Sequence, residues 1–356
     1  MAFAPGAAAA TGPQFGLIQL DSRLEGKLEI FGADGAPVAT LLPPAGETFP
    51  RPWFLSSVSF SGDGQLLVAP GVSRSPTRRA GGPALGLYAV PADGGVPALI
   101  RGTRSGLNPV ASPDGRSVVF MRSRGTNSET VEGDHVIRRT RARTSIWIAS
   151  LDGSGARRLT PWRVDGYDVP TSISPDGTTL ALTRVTIESS SGKRPTRRSQ
   201  ALLLDLATGG TVPLGGRIGS ATFSPDGTRL AVVIVHRFAR PHVRETKSGK
   251  SVLYGESDIY VEDRITGVLT RLTSGPSSAL DPAWDPSGQR LAFRRFGNLL
   301  GEEQAVYGVG DSIYEVNADG SCLTRVLHDD EGGFTAPAWR PGPERGAGAI
   351  SCAPGG

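Results

Sequence analysis

The sequence is poor in the residues and motifs that most often carry chemistry. Its four histidines, at 135, 236, 242 and 328, include no His-x-x-x-His pair. His236 and His242 flank a proline-containing insert but lack the further ligands that a zinc site needs. No Gly-x-Ser-x-Gly elbow is present, which excludes an α/β-hydrolase nucleophile in this chain. Ser248-Gly249-Lys250-Ser251 ends like a phosphate loop, yet Arg244 stands where the first glycine is needed and no helical pattern follows. A hairpin tip is expected there instead. No run of eighteen apolar residues occurs, so the sequence encodes no helix long enough to cross a bilayer. Residues 1–14 are alanine-rich and lack a basic n-region. They are expected to be a disordered leader or the remainder of a processed signal, with no complete signal peptide in this chain. Charge is nearly balanced: 38 Lys and Arg against 34 Asp and Glu give a net +4.

What the chain has in abundance is punctuation. Its 48 glycines and 28 prolines suit a fold that turns roughly every eight to twelve residues. Ser174-Pro175-Asp176-Gly177 runs straight into Thr179-Leu180-Ala181-Leu182, a turn feeding a short apolar strand. The pattern returns at Ser112-Pro113-Asp114-Gly115 and Ser224-Pro225-Asp226-Gly227, and more loosely at Ser61-Gly62-Asp63-Gly64, Asp285-Pro286-Ser287-Gly288 and Arg340-Pro341-Gly342-Pro343. The second turn residues, 62, 113, 175, 225, 286 and 341, are separated by 51, 62, 50, 61 and 55 positions. Proline presets φ, aspartate bonds back to the local backbone and glycine accepts positive φ, so each copy is a tight hairpin turn. A third strand follows in each unit, as in Ile146-Trp147-Ile148 and Ile259-Tyr260-Val261. A second glycine turn and a fourth strand then close it, as in Leu269-Thr270-Arg271-Leu272-Thr273. Four meandering strands repeated at this period make a propeller blade, and six copies predict an all-β, six-bladed β-propeller.

These motifs resemble the repeat of the TolB-like six-bladed propellers, which reads W-S-P-D-G-x-x-[IL]-A-F, then I-Y-V-x-x-x-D-G, then x-R-R-L-T. The resemblance covers nearly the whole chain and implies one domain over residues 15–353. For function it implies a class: related blades serve as scaffolds, peptide binders and non-catalytic domains of prolyl-oligopeptidase-like peptidases. Trp284 and Trp339 sit at the repeat position that packs blades together.

The chain ends predict how the ring closes. Residues 16–42 supply outer strands with no innermost strand before them, whereas Ala336-Pro337-Ala338-Trp339 is an innermost strand with only 349–352 after it. Both ends are therefore expected in the sixth blade, which removes free edges. Cys322 lies at the third-to-fourth-strand turn of the fifth blade and Cys352 in the last apolar stretch. Either they form a bridge that pins the tail, which suits an oxidising compartment, or they are two unrelated buried thiols.

Long inserts separate strands two and three at residues 71–85, 122–144, 184–199, 236–257 and 294–311. The first four carry +3, +3, +4 and +3, or +13 together, against a net +4 for the chain, so the remainder carries −9. The stretches 180–187 and 231–235 keep strand-like composition into their inserts, so some inserts are expected to be extended hairpins. A basic arc is expected on one face, through Arg78, Arg79, Arg138, Arg139, Arg141, Arg143, Arg194, Arg197, Arg198, Arg240 and Arg244. It would attract an acidic protein surface or a polyanion in a salt-dependent way; the plainer account is that solvated charge simply collects in loops. The blade connections bring Trp53, Tyr167, Asp168, Asp281 and Phe334 to the channel mouth. Acids there could hold a peptide amine, a basic side chain or a calcium ion, or serve only as turn residues.

The expected protein is thus a non-enzymatic, extracytoplasmic monomer without a cofactor, binding a protein or peptide through its long-insert face. An anionic-polymer or nucleic-acid binder is the rival, opposed by the scarcity of aromatics among the inserts, where Phe238 and Tyr254 are nearly alone. A lyase- or lactonase-type enzyme at the channel mouth is the other.

Overall fold

The structure is a computed structural model that describes residues 12–20, 26–41, 47–48, 57–73, 84–132, 135–188, 196–236, 243–246, 249–252, 257–274, 278–296, 311–329, 333–342 and 348–352. The expected leader lies outside them except for residues 12–14, and the first strand already includes Gln14.

Six antiparallel sheets of four strands form a six-bladed propeller, with no helix among the described residues. Blade 2 runs Gly106–Ala111, Ser117–Glu132, His135–Ser150 and Ala156–Arg158, from the inner strand outwards. Blade 3 runs Gly166–Ile173, Thr179–Glu188, Thr196–Asp205 and Thr211–Pro213. Blade 4 runs Ile218–Phe223, Arg229–Val235, Ser257–Asp263 and Leu269–Arg271. Blade 5 runs Ser278–Trp284, Arg290–Phe296, Asp311–Asn317 and Thr324–Asp329. In blade 1 the two short pieces Glu47–Thr48 and Ser59–Phe60 share the inner edge of Leu66–Ser73, which pairs with Ala84–Pro91 and then Ala98–Leu99.

Both chain ends build the sixth blade. Gly333–Phe334 and Ala338–Trp339 pair with Gln14–Leu20, followed by Gly26–Gly32 and Pro37–Leu41. Residues 349–352, expected from the sequence as a last apolar strand, form none. They meet a side-chain amide rather than a strand edge: Ile350 N donates to Asn317 Oδ1 at 2.7 Å and Asn317 Nδ2 donates to Ile350 O at 2.9 Å. A disulfide joins Cys352 to Cys322, with Cα atoms 4.9 Å apart.

The turns explain why the repeat is so legible. In blade 2, Arg116 N donates to Asp114 Oδ1 at 3.0 Å and Ser117 N donates to Ser112 Oγ at 2.9 Å. The same two bonds occur in blades 1, 3 and 4. In blade 5, Asp285 stands in the serine's place and its carboxylate accepts both Gln289 N and Arg290 N. The sixth turn diverges because Arg340 has another task. Its buried guanidinium donates to Gly64 O and pairs with Asp93, fastening the closing blade to blade 1.

The core lies between blades. Six apolar clusters fill the six seams. Alternation along each second strand feeds two of them: Leu230 and Val232 face blade 3, while Ala231 and Val233 face blade 5. Consecutive positions such as Leu230–Val233 are apolar because both sheet faces are covered there. Trp284 Nε1 and Trp339 Nε1 donate across a seam to Thr222 O and Ala283 O.

Each antiparallel step reverses direction, so the Ser-Pro-Asp-Gly turns and third-to-fourth-strand turns share one face. The second-to-third-strand hairpins and blade connections share the other. On the first face neighbouring turns touch, Gly62 against Pro113, Gly227 against Pro175 and Gly288 against Pro225.

Candidate recognition face

Strand length on the hairpin face differs from the expected loops. Residues 122–144 are no loop: Ser117–Glu132 and His135–Ser150 pair in unbroken register from Ser117↔Ser150 to Glu132↔His135. Thr126, Thr130, Val131, Val136, Ile137 and Thr140 supply the β-branched residues that suit a ribbon. Blade 3 carries a shorter ribbon, ending at Glu188↔Thr196. In blade 4 a separate hairpin pairs Val243–Thr246 with Gly249–Val252, so the phosphate-loop look-alike falls at a hairpin tip, as its composition suggested.

The blade 2 ribbon rises between two blade connections. Ser123 N donates to Ser105 O at 3.1 Å, and Thr144 exchanges backbone bonds with Arg163 at 3.1 and 2.8 Å. At its root Arg122 Cζ stands 4.0 Å from the Trp147 ring centre and Arg124 Cζ 5.1 Å from that of Trp162, the two rings being 6.4 Å apart. Such cation–π contacts contribute on the order of 0.5–1 kcal/mol each where exposed. Arg122 also donates to the Gly102 carbonyl. Burial, and then the nearby Arg124, hold its guanidinium below the usual arginine range.

The adjoining arginines are neutralised by carboxylates. Asp168 is 1% exposed and takes Arg184 on both oxygens, at 2.9 and 2.8 Å, with Arg163 at 3.7 Å. The hydrogen bond to Asp168 raises the Arg184 pKa further. Asp258, also buried, accepts from Arg271 at 2.7 Å and Thr273 Oγ1 at 3.0 Å, and its Oδ2 lies 2.7 Å from His236 Nε2. Asp281, held at φ +56°, pairs with Arg294 at 3.1 Å.

The described members of the expected channel-mouth group have separate surroundings. Trp53 lies outside the described residues. Phe334 is buried in the seam between blades 5 and 6, Tyr167 packs in that between blades 2 and 3, and Asp168 and Asp281 each face their own arginine. Among the basic positions, Arg78, Arg79, Arg194 and Arg240 lie outside the described residues. Positions 138, 139, 141, 197 and 244 lie in strands, and Arg143 and Arg198 are exposed. The Arg122–Trp147 and Arg124–Trp162 stacks were not read from the sequence. The two-residue period Phe120-x-Arg122-x-Arg124 was their signal.

Neither a family model nor a curated protein sequence matches the chain. Its structure matches the crystal structure of TolB from Acinetobacter baumannii with a TM-score of 0.57 at 20% identity, covering 95% of this chain and 68% of that one. It matches a structure assigned as TolB from Agrobacterium tumefaciens with a TM-score of 0.54 at 15% identity, covering 91% and 92%. An oligogalacturonate lyase in complex with manganese gives 0.46 at 14% identity, covering 92% and 75%. The chain has the TolB-like six-bladed propeller fold.

Proposed function

We propose that this propeller is a non-enzymatic, extracytoplasmic recognition module that holds a protein or peptide partner on its hairpin face. The observation that carries the reading is the ribbon of blade 2, two 16-residue strands standing on a ring whose seams are packed with apolar side chains. A paired ribbon on a firm base offers a partner a backbone frame that is already formed, which lowers the ordering cost of binding. Three carboxylates of this face, Asp168, Asp258 and Asp281, support binding over acid–base chemistry, since each is engaged by a guanidinium. The disulfide supports an oxidising compartment.

The test is affinity capture from cell-envelope extract at two salt concentrations, with bound material identified by mass. A partner retained at low salt and released at high salt is the expected result, because contacts between exposed charges are screened. Capture that ignores salt, and that survives replacement of Arg138, Arg139, Arg141 and Arg143 with Ser, would refute a charge-guided hairpin face.

A further inference from the structure

Directly opposed residues of an antiparallel ribbon share a face, and faces alternate along each strand. Arg124 lies opposite Arg143 and Phe120 opposite Trp147. Arg122, Arg124 and Arg143 therefore stand on one face of the blade 2 ribbon, above Phe120 and Trp147.

These three arginines have no counter-ion among the described residues. Arg124 and Arg143 are exposed like charges placed directly across from one another, an arrangement that disfavours the bare ribbon. Among the described residues no carboxylate lies within 4.0 Å of Arg122, Arg124 or Arg143, although blades 3, 4 and 5 pair their arginines with Asp168, Asp258 and Asp281. The tryptophan stacks hold Arg122 and Arg124 in place without adding a negative charge.

We infer that this face of the ribbon binds an extended acidic peptide segment, whose alternate carboxylates meet Arg122, Arg124 and Arg143. The inference names the partner chemistry for the recognition face proposed above and rests on that reading. Charge complementarity selects the acid. Spacing selects the extended chain, because alternate residues on the ribbon and alternate side chains of an extended peptide both repeat at about 7 Å. A nucleic acid fits less well: Trp147 and Trp162 stand close together and each is capped by an arginine, which removes the platforms on which bases would stack.

Fluorescence anisotropy on the full chain tests this with three probes: an alternating Glu-Thr dodecapeptide, an isomer with its glutamates in one block, and a single-stranded oligonucleotide of equal charge. The alternating peptide should bind best. Arg124→Ser with Arg143→Ser should weaken it at least about tenfold, the scale of one lost charge-assisted contact. Arg116→Ser, in the exposed turn on the opposite face of the propeller, should change it less than about twofold, and an unchanged circular dichroism spectrum would show both variants folded. Equal losses at 116 and at 124/143, no loss in the double variant, or preference for the oligonucleotide would each overturn the inference. A partner captured from extract that still binds the double variant but not Arg197→Ser with Arg198→Ser would reject this strip and keep the recognition face. Intact peptide binding with no partner retained on any hairpin would support the strip and reject the broader reading.

Discussion

Glu315 lies in the seam between blades 5 and 6, 1% exposed, with Oε2 2.9 Å from Arg290 Nη1 and no hydrogen-bond partner for Oε1. Arg290 in turn stands 4.7 Å from the Trp339 ring centre. Burial pushes the Glu315 carboxyl from 4.5 up to about 7, against the pull of Arg290. Its folded-state pKa is raised, so between pH 4.5 and about 7 the folded chain keeps a proton that the unfolded chain releases. Stability contributed by this group is present below that window and is lost as pH rises through it. Thermal unfolding followed by circular dichroism should show the midpoint falling from pH 5 to 7.5, and Glu315→Gln should flatten that fall. An unaltered slope in the variant would show that the carboxyl is already ionised at pH 5. The turn aspartates act in the opposite sense. Asp63, Asp114 and Asp176 are held below 3.8, first by the neighbouring serine hydroxyl, so their contribution is lost as pH falls below that value.

The turn and the ribbon differ in how much the sequence says about them. Ser-Pro-Asp-Gly could be read directly because its hydrogen bonds close within six residues, as from Ser112 to Ser117. Its glycines test the difference between local strain and packing. Gly177 has φ +72° with open space around it, so Gly177→Ala should cost only the left-handed strain, about 1–2 kcal/mol. Gly64 has φ +68°, and an added Cβ would run into the Pro341 carbonyl oxygen of the closing blade. Gly64→Ala should therefore lower the denaturant midpoint more than Gly177→Ala does; equal losses would mean that the junction of blades 6 and 1 is slack. The ribbon of blade 2 is hidden in the sequence as one insert among five, since arginine, serine and glutamate make residues 122–144 look solvated. Its order comes from pairing across 16 positions, which composition does not state.

At the scale of the whole molecule the disulfide has more to do than hold a tail. The segment it closes, 322 to 352, contains both pieces of the innermost strand of blade 6. Loop-closure entropy for a separation of 30 residues corresponds to roughly 3–4 kcal/mol. Reduction, or Cys322→Ser with Cys352→Ser, should lower the unfolding midpoint and speed hydrogen exchange first at Gln14–Leu20, which pairs with that strand. Unchanged exchange there would show that the ring closes without help from the bridge.

Six blades, their four strands and the closure by both chain ends were determined by the sequence alone, because turn chemistry is local and the strands missing at each end complement one another. Which charges face a partner was decided only by the tertiary structure. Arg184 and Arg143 look alike as basic residues of an insert, yet register sets one opposite Gln200 within reach of Asp168 and the other opposite Arg124. Neutralisation depends on distances across strands and blades, and linear spacing carries no record of those.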